Sequence, residues 1–255
     1  FVHVQWPLLT LLLGIASMRA VIIAAGQGSR LREVASPKPL VHVRGTPLIV
    51  HVINGALAAG VSEFVVVTGY EAAKLESFLA EIAGARGVGL SCVRNPAFLS
   101  PNGLSVVAAA PFVEERFLLL MSDHLFDPSI IKDLIAEPPR DAELVLAIDR
   151  RMDNPLVDLN DVTRVDVAPD GRIRALGKGL AKFNAFDTGI FLTSPGLIRA
   201  VGEDVAEGGG GSISEGVMRL AARGLAVTYD IGDRYWLDVD DAAALSRAEN
   251  AEGRR

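Results

Sequence analysis

Short apolar runs recur along the chain, and most are continuous rather than alternating. Ala20-Val21-Ile22-Ile23, Phe64 to Thr68, Gly89 to Val93, Phe117 to Met121 and Leu144 to Ile148 are of strand length. A strand covered on both faces has no solvent side to fill with polar residues, so a continuous run predicts a buried strand. Helical segments lie between them. One is predicted to start at Thr46-Pro47, with Thr as N-cap and Pro at the first helical position, and to end at Gly60. Others are predicted over Glu71 to Ile82, Gly103 to Ala110 and Pro128 to Ala136. This alternation predicts an α/β fold, a Rossmann-like mixed and mostly parallel sheet flanked by helices.

From Val162 the pattern changes. Thr163 to Val167 alternates, Asp170-Gly171 is a hairpin signal, and Arg172 to Leu176 alternates again, which predicts a small antiparallel insert. Ile190 to Leu192 and Ala226 to Tyr229 read as strands again. Between them, Ser212 and Glu215 have capping-box spacing, so Gly208 to Gly211 is expected to be a mobile lead-in to a helix. A last helix is expected from about Asp240.

Half of the 255 residues are hydrophobic, enough for a full core. Val4 to Ala16 is nearly continuous apolar sequence without a basic leader and is short for a bilayer, so residues 1–17 read as an upstream extension rather than a signal or anchor. Residues 18–255 then form a single domain, with no membrane insertion expected. The net charge of −6 speaks against a nucleic-acid-binding surface. The single cysteine, Cys92, excludes an internal disulfide and fits a reducing cytoplasm; its segment, Leu90 to Val93, reads as a buried strand.

The chemistry begins where the first run ends, at Ala24-Ala25-Gly26-Gln27-Gly28-Ser29-Arg30, followed after a gap by Pro37-Lys38. Gly26 and Gly28 let the backbone approach a phosphate and turn N–H groups towards it. A dinucleotide fingerprint would need glycine at Leu31, and a Walker loop would end in Gly-Lys-Ser/Thr, so neither fits. Arg30 offers a planar fork to phosphate oxygens and Lys38 a compact positive charge. Lys38 lies on a polar loop, so its loss is expected to lower turnover without unfolding the protein.

These residues resemble the signature of the nucleoside-triphosphate transferases that activate sugar phosphates and related alcohol phosphates, a superfamily of GT-A-like fold. The resemblance runs from about Met18 to the C-terminus. It implies that the loop from Ala24 to Ser29 holds a nucleotide and that Arg30 and Lys38 are catalytic. Phe117 to Met121 ends at Ser122-Asp123-His124, and Asp123 at a strand's carboxyl end suits a Mg2+ ligand. A second acid would come from Trp236-Leu237-Asp238-Val239-Asp240. Asp240 could instead cap the last helix, with Asp241 beside it, so the choice of Asp238 is what the resemblance implies. His124 reads as a hydrogen-bonding or substrate-facing group. His3, His42 and His51 form no cluster with metal-ligand spacing, so no zinc site is expected.

Asn95-Pro96 and Asn102-Gly103-Leu104-Ser105 precede a helix in a manner similar to the cytidylyltransferase branch. Asn102 and Ser105 suit either the edge of a pyrimidine or the capping of a helix. Met121 to His124, Gly177-Lys178, Phe186-Asp187-Thr188-Gly189 and Trp236 to Asp240 resemble the CTP:inositol-1-phosphate cytidylyltransferases. That resemblance implies CTP and inositol 1-phosphate as substrates, with Lys178 on the acceptor's phosphate and Asp187 and Thr188 on its hydroxyls. It also implies a membrane-embedded transferase that uses the product. The oligomeric state stays open. Phosphocholine would favour an aromatic cage, for which Trp236, Tyr235 and Tyr70 are available. A sugar 1-phosphate acceptor would suit the same loop and acids. A non-catalytic relative that binds nucleotide and regulates a partner is the other class of reading, but the resemblance implies that such relatives lose the Arg, Lys or metal acids, all of which this chain retains.

Overall fold

The structure is a computed structural model that describes residues 18–136, 138–139 and 141–251; the N-terminal extension of residues 1–17 lies outside the described residues. Nine strands form the main sheet. Its centre is β1 (Arg19–Ala24), which pairs in parallel with β4 (Glu63–Thr68) on one side and β6 (Phe117–Met121) on the other. β5 (Gly89–Arg94) extends the parallel half beyond β4. On the far side of β6 lies β11 (Ala185–Thr193), antiparallel to β6, β8 (Leu144–Asp149) and β9 (Arg164–Val167). β10 (Ile173–Gly177) forms the expected antiparallel hairpin with β9, and β12 (Ala226–Asp230) lies parallel to β8.

The continuous runs are explained by cover on both faces. Ala20, Ile22 and Ala24 of β1 pack with Ile49, Ile53, Leu75 and Leu79, from α1 (Leu48–Ala58) and α2 (Ala72–Arg86), and with Ile130 and Leu134 of α4 (Pro128–Ala136). Val21 and Ile23 face the other way, towards Val106 of α3 (Gly103–Ala108), Leu197 and Val201 of α5 (Pro195–Ala206) and Val217 of α6 (Ile213–Ala222). The fold class read from the sequence is the one observed.

Several local expectations are corrected. Thr46–Pro47 is not a helix start: it forms β3, antiparallel to β2 (His42–Val43), and α1 begins at Leu48 with no side-chain cap. Cys92 is only half-buried, because β5 is an edge strand. α5, which the sequence reading missed, is capped by Ser194, whose hydroxyl accepts from Gly196 N at 3.0 Å. The glycine run is not a loose lead-in. Gly209 N donates to Asp204 O at 2.8 Å and Gly211 N to Asp204 Oδ2 at 3.0 Å, while Ser212 and Glu215 form the capping box of α6. The last helix, α7 (Ala242–Asn250), is capped by Asp241, whose Oδ1 accepts from Ala244 N at 2.7 Å.

Beyond the sheet, β7 (His124–Phe126) pairs antiparallel with β13 (Trp236–Asp238) in a ribbon of their own. A third apolar cluster lies under this ribbon, where Leu125 and Leu237 meet Leu31, Val41, Leu48 and Ala248. Asp149, fully buried at the end of β8, anchors it. Its carboxylate accepts from Trp236 Nε1 at 2.8 Å, from Asn154 Nδ2 at 2.7 Å and from the Arg151 guanidinium at 2.9 Å. Arg151 in turn donates to the carbonyls of Asp233 and Arg234, just before β13. Replacing Asp149 with Ala takes the acceptor from a buried indole N–H, from Asn154 and from the part-exposed Arg151 guanidinium that ties β13 down. The expected loss in urea denaturation is about 3–5 kcal/mol; a loss under about 1 kcal/mol would show that β13 is held by its apolar contacts alone.

Candidate active site

The signature loop folds back on itself. Gly28 has φ +55°, and a Cβ there would lie 2.3 Å from Cβ of Lys38, so the returning Pro37-Lys38 segment packs directly onto the glycine. Strain and clash together explain why this position needs Gly. The lysine that results is not on an open polar loop. Its side chain is 8% exposed, and Nζ lies 2.5 Å from Asp123 Oδ2 and bonds to Asp240 Oδ1 as well.

Pairing of β7 with β13 places His124 opposite Asp238, and Val239 N donates to Asp123 O at 3.0 Å. Residues more than a hundred positions apart thus converge. Nδ1 of His124 is 2.7 Å from the Thr188 carbonyl, leaving Nε2 towards the acids, 3.5 Å from Asp238 Oδ1 and 3.7 Å from Asp123 Oδ1. Gly189, at φ +73°, makes room for that ring, since a Cβ would lie 2.3 Å from its Nδ1.

Two adjoining cavities meet here. One is lined by Ala24, Ala25, Gly26, Gly28, Ser29, Lys38, Phe98, Ser100 and Ser105, the other by Lys178, Asp187, Asp161, Trp236 and Asp238, and they share Arg30, Asn102, Met121, Asp123 and Asp240. Residues 20–182 match the profile of the MobA-like NTP transferase domain. The chain belongs to this family. It is 34% identical over 238 residues to a protein of Rubrobacter xylanophilus named bifunctional IPC transferase and DIPP synthase, covering 90% of this chain and 51% of that one. A protein of the same name from Archaeoglobus fulgidus is 35% identical, over 92% of this chain and 44% of its own length. The chain therefore spans about half the length of these relatives. Among solved structures, the inositol-1-phosphate CTP transferase from T. maritima superposes with a TM-score of 0.79 at 26% identity, over 93% of this chain and 99% of that one.

Most residues expected at the site of this NTP transferase domain line the cavities, but four do not. Gln27 is exposed, with Oε1 3.4 Å from Arg32 Nη2. Asn95 is buried, its Nδ2 donating to Ser105 Oγ at 3.0 Å and its Oδ1 accepting from Ala97 N at 2.9 Å. Gly103 is buried where α3 packs against Gly211 and Ser212. Thr188 is buried and its hydroxyl donates to Ala147 O at 2.8 Å. Asn102 lines both cavities, yet its Oδ1 already accepts from Ile213 N at 3.1 Å, capping α6 rather than its own helix. Asp161 is a residue the sequence reading left out, and Asp240, which it offered as a helix cap, does not cap, because Asp241 holds that place. Asp240 Oδ2 accepts from Arg30 Nη2 at 2.8 Å, and Asp161 Oδ2 accepts from the same nitrogen at 2.7 Å. Its position between two cations marks Asp240 as a site residue; with Asp241 as the cap, it is free for that role.

Burial works against the charge of Lys38, but Asp123, Asp240 and Asp238 outweigh it and hold the ammonium's pKa above the ordinary lysine value. Burial likewise opposes the Asp123 and Asp240 carboxylates, and the neighbouring lysine still holds both below the usual range. Asp238 goes the other way. Its burial outweighs His124, its carboxyl is pushed up, and its Oδ1 has no hydrogen-bond partner. His124 is raised to about 10, because Asp238 and Asp123 overcome its burial. Oxygens of Asp123 and Asp238 and a nitrogen of His124 lie within 4.8 Å of one another, so these residues fit a divalent cation. Oδ1 of Asp238 accepts no hydrogen bond, although His124 Nε2 lies 3.5 Å away, so it is a buried oxygen with a lone pair left for a cation.

Asp187 lines the second cavity, and burial pushes its carboxyl up to about 6 from 3.8. Its ionised form therefore costs stability that is absent below about pH 4, grows as pH rises and is complete above about pH 6. Asp187→Asn keeps an acceptor for Gly189 N and removes this cost. We expect the variant to be more stable at pH 7.5 by roughly 1–2 kcal/mol and equal to the parent near pH 4. Thermal melts across that range check it, and a variant less stable at pH 7.5 would show that the charge is needed for folding.

Proposed function

We propose that this chain transfers a cytidylyl group from CTP to a phosphorylated alcohol, with inositol 1-phosphate as the acceptor and Mg2+ as the cofactor, releasing pyrophosphate. The observation that carries the reading is the convergence of Asp123, Asp238, Arg30 and Lys38 at the junction of two cavities. One cavity has the signature loop and the other has Lys178 and Asp187. The names of the relatives and the likeness to the T. maritima enzyme support this nucleotide and this acceptor.

In this reading the triphosphate lies on the backbone N–H groups of the loop, and Lys178 holds the acceptor's phosphate in the adjoining cavity. An acceptor phosphate oxygen, already anionic, attacks the α-phosphorus of CTP in line. A P–O bond forms there as the bond from the α-phosphorus to the bridging oxygen breaks, and pyrophosphate leaves with that electron pair. Lys38 stabilises the charge that gathers on the leaving group, and Arg30, which lines both cavities, the charge that builds on the phosphates in transfer. Mg2+ on Asp123 and Asp238 would supply Lewis-acid charge to the phosphate oxygens. Asp187 accepts a hydrogen bond from an acceptor hydroxyl. No covalent enzyme intermediate is needed.

Two aromatics weighed for a choline cage, Tyr70 and Tyr235, are not among the residues lining the acceptor cavity, and Tyr70 instead lies under the guanidinium of Arg32. Among the described residues no helix is long and apolar enough to cross a membrane. We place the reaction in the cytoplasm, with a membrane-bound transferase as the consumer of the product.

The test is pyrophosphate release with Mg2+ across CTP, UTP, dTTP, ATP and GTP, each paired with inositol 1-phosphate, phosphocholine or glucose 1-phosphate. Release confined to CTP with inositol 1-phosphate is expected; another productive pair would replace the substrates, and silence from folded protein would favour a regulatory nucleotide-binding role. Lys38→Ala should lower kcat by about 10²–10³. Because Lys38 is buried among carboxylates, the variant should also lose stability, by about 3–5 kcal/mol. The polar-loop placement behind the expectation of unaffected stability is corrected by this burial, while the expected loss of turnover stands. Near-normal turnover in Lys38→Ala would remove the lysine from the mechanism.

A further inference from the structure

We propose that Asp161 is an internal stand-in for the acceptor's phosphate and determines which acceptors the cavity takes. The inference rests on assigning the Lys178 cavity to the acceptor. Asp161 lies in the turn before β9, where its backbone N donates to Asp158 O at 3.1 Å. Its carboxylate bridges two cations with separate oxygens: Oδ2 accepts from Arg30 Nη2 at 2.7 Å and Oδ1 accepts from Lys178 Nζ. All three residues line the same cavity.

Two oxygens spanning a guanidinium and an ammonium is also how a phosphate would be held by this pair. The same two cations cannot serve both anions fully, so an incoming acceptor must displace the carboxylate. A dianionic phosphate monoester brings more charge than the single charge it replaces, and the exchange is favourable. A singly charged phosphodiester or a neutral polyol gains little or nothing. Asp161 thereby selects phosphorylated acceptors by charge, and it keeps Arg30 and Lys178 in place while the cavity is empty. Neither pair is deeply buried, with side-chain exposures of 50% for Arg30, 61% for Lys178 and 25% for Asp161, so the competition is modest and readily reversed.

Asp158 provides an internal comparison. It lines the same cavity three residues earlier, but its Oδ1 accepts from the backbone N of Asn160 at 2.9 Å, and no cation lies within ion-pair distance of it among the described residues. It contributes to the general negative field without blocking either cation.

The experiment is calorimetric titration of the full chain with inorganic phosphate, dimethyl phosphate and inositol 1-phosphate, at fixed ionic strength and at a pH where phosphate is dianionic. Wild type, Asp161→Asn and Asp158→Asn are compared, with thermal melts establishing that each is folded. The Kd for inorganic phosphate should fall about five- to tenfold in Asp161→Asn and stay within about twofold in Asp158→Asn. The gap between phosphate and dimethyl phosphate should narrow only in Asp161→Asn. Unchanged or weaker phosphate binding in Asp161→Asn, equal tightening in Asp158→Asn, an unchanged gap, or no phosphate binding by any of the three would overturn the proposal. Tightening for phosphate while none of the proteins binds inositol 1-phosphate would support the role of Asp161 and refute the acceptor assignment.

Discussion

The arrangement at the site depends on one buried ammonium. Lys38 bonds to Asp123 and Asp240, and the charges continue outward from it in alternation, through Arg30 to Asp161 and on to Lys178. This chain of opposite charges crosses the junction of the two cavities. Burying so many acids together is unfavourable unless cations and hydrogen bonds compensate them. Gly28 lets Lys38 approach, the β7–β13 ribbon supplies Asp238 and the segment leading to Asp240, and Asp149 fixes the ribbon through Trp236. The apolar cluster of Leu31, Leu125 and Leu237 packs beneath them.

Not every acid in the cluster is fully hydrogen-bonded. Asp238 keeps a buried oxygen without a donor, and Asp187 and Asp238 both have raised pKa values because burial disfavours their ionised forms. A core selected for stability alone would have filled these positions with apolar side chains. Retaining acids there against the cost of burial is the pattern of a site prepared for a cation and a hydroxylated ligand, and it supports the proposed chemistry on grounds other than similarity to relatives.

Much of this was legible in the sequence, for identifiable reasons. Continuous runs revealed β1, β6 and β8, which are covered on both faces, but overstated the burial of the edge strand β5, and the Ser212–Glu215 spacing revealed a cap because capping is local. Asp123 could be read from its place at the end of an apolar strand. What escaped was non-local or competed for locally. Asp161 becomes a site residue only when a loop brings it between Arg30 and Lys178, and nothing in its immediate sequence signals that. Thr46–Pro47 carried a good helix-start signal, yet its pairing with His42–Val43 overrode it. Asn102 had two readings from local spacing, and the structure gave it a third partner, the start of α6.

The central claim is that Asp123 and Asp238 form one divalent-cation site that works with Lys38 on a bound triphosphate. It is tested most directly by titrating Mg2+ calorimetrically into the protein with an unreactive CTP analogue, comparing wild type with Asp238→Asn. The account predicts one site per chain, with affinity reduced at least about tenfold in the variant. Equal affinity in the two proteins, with both folded and both binding the nucleotide, would contradict it.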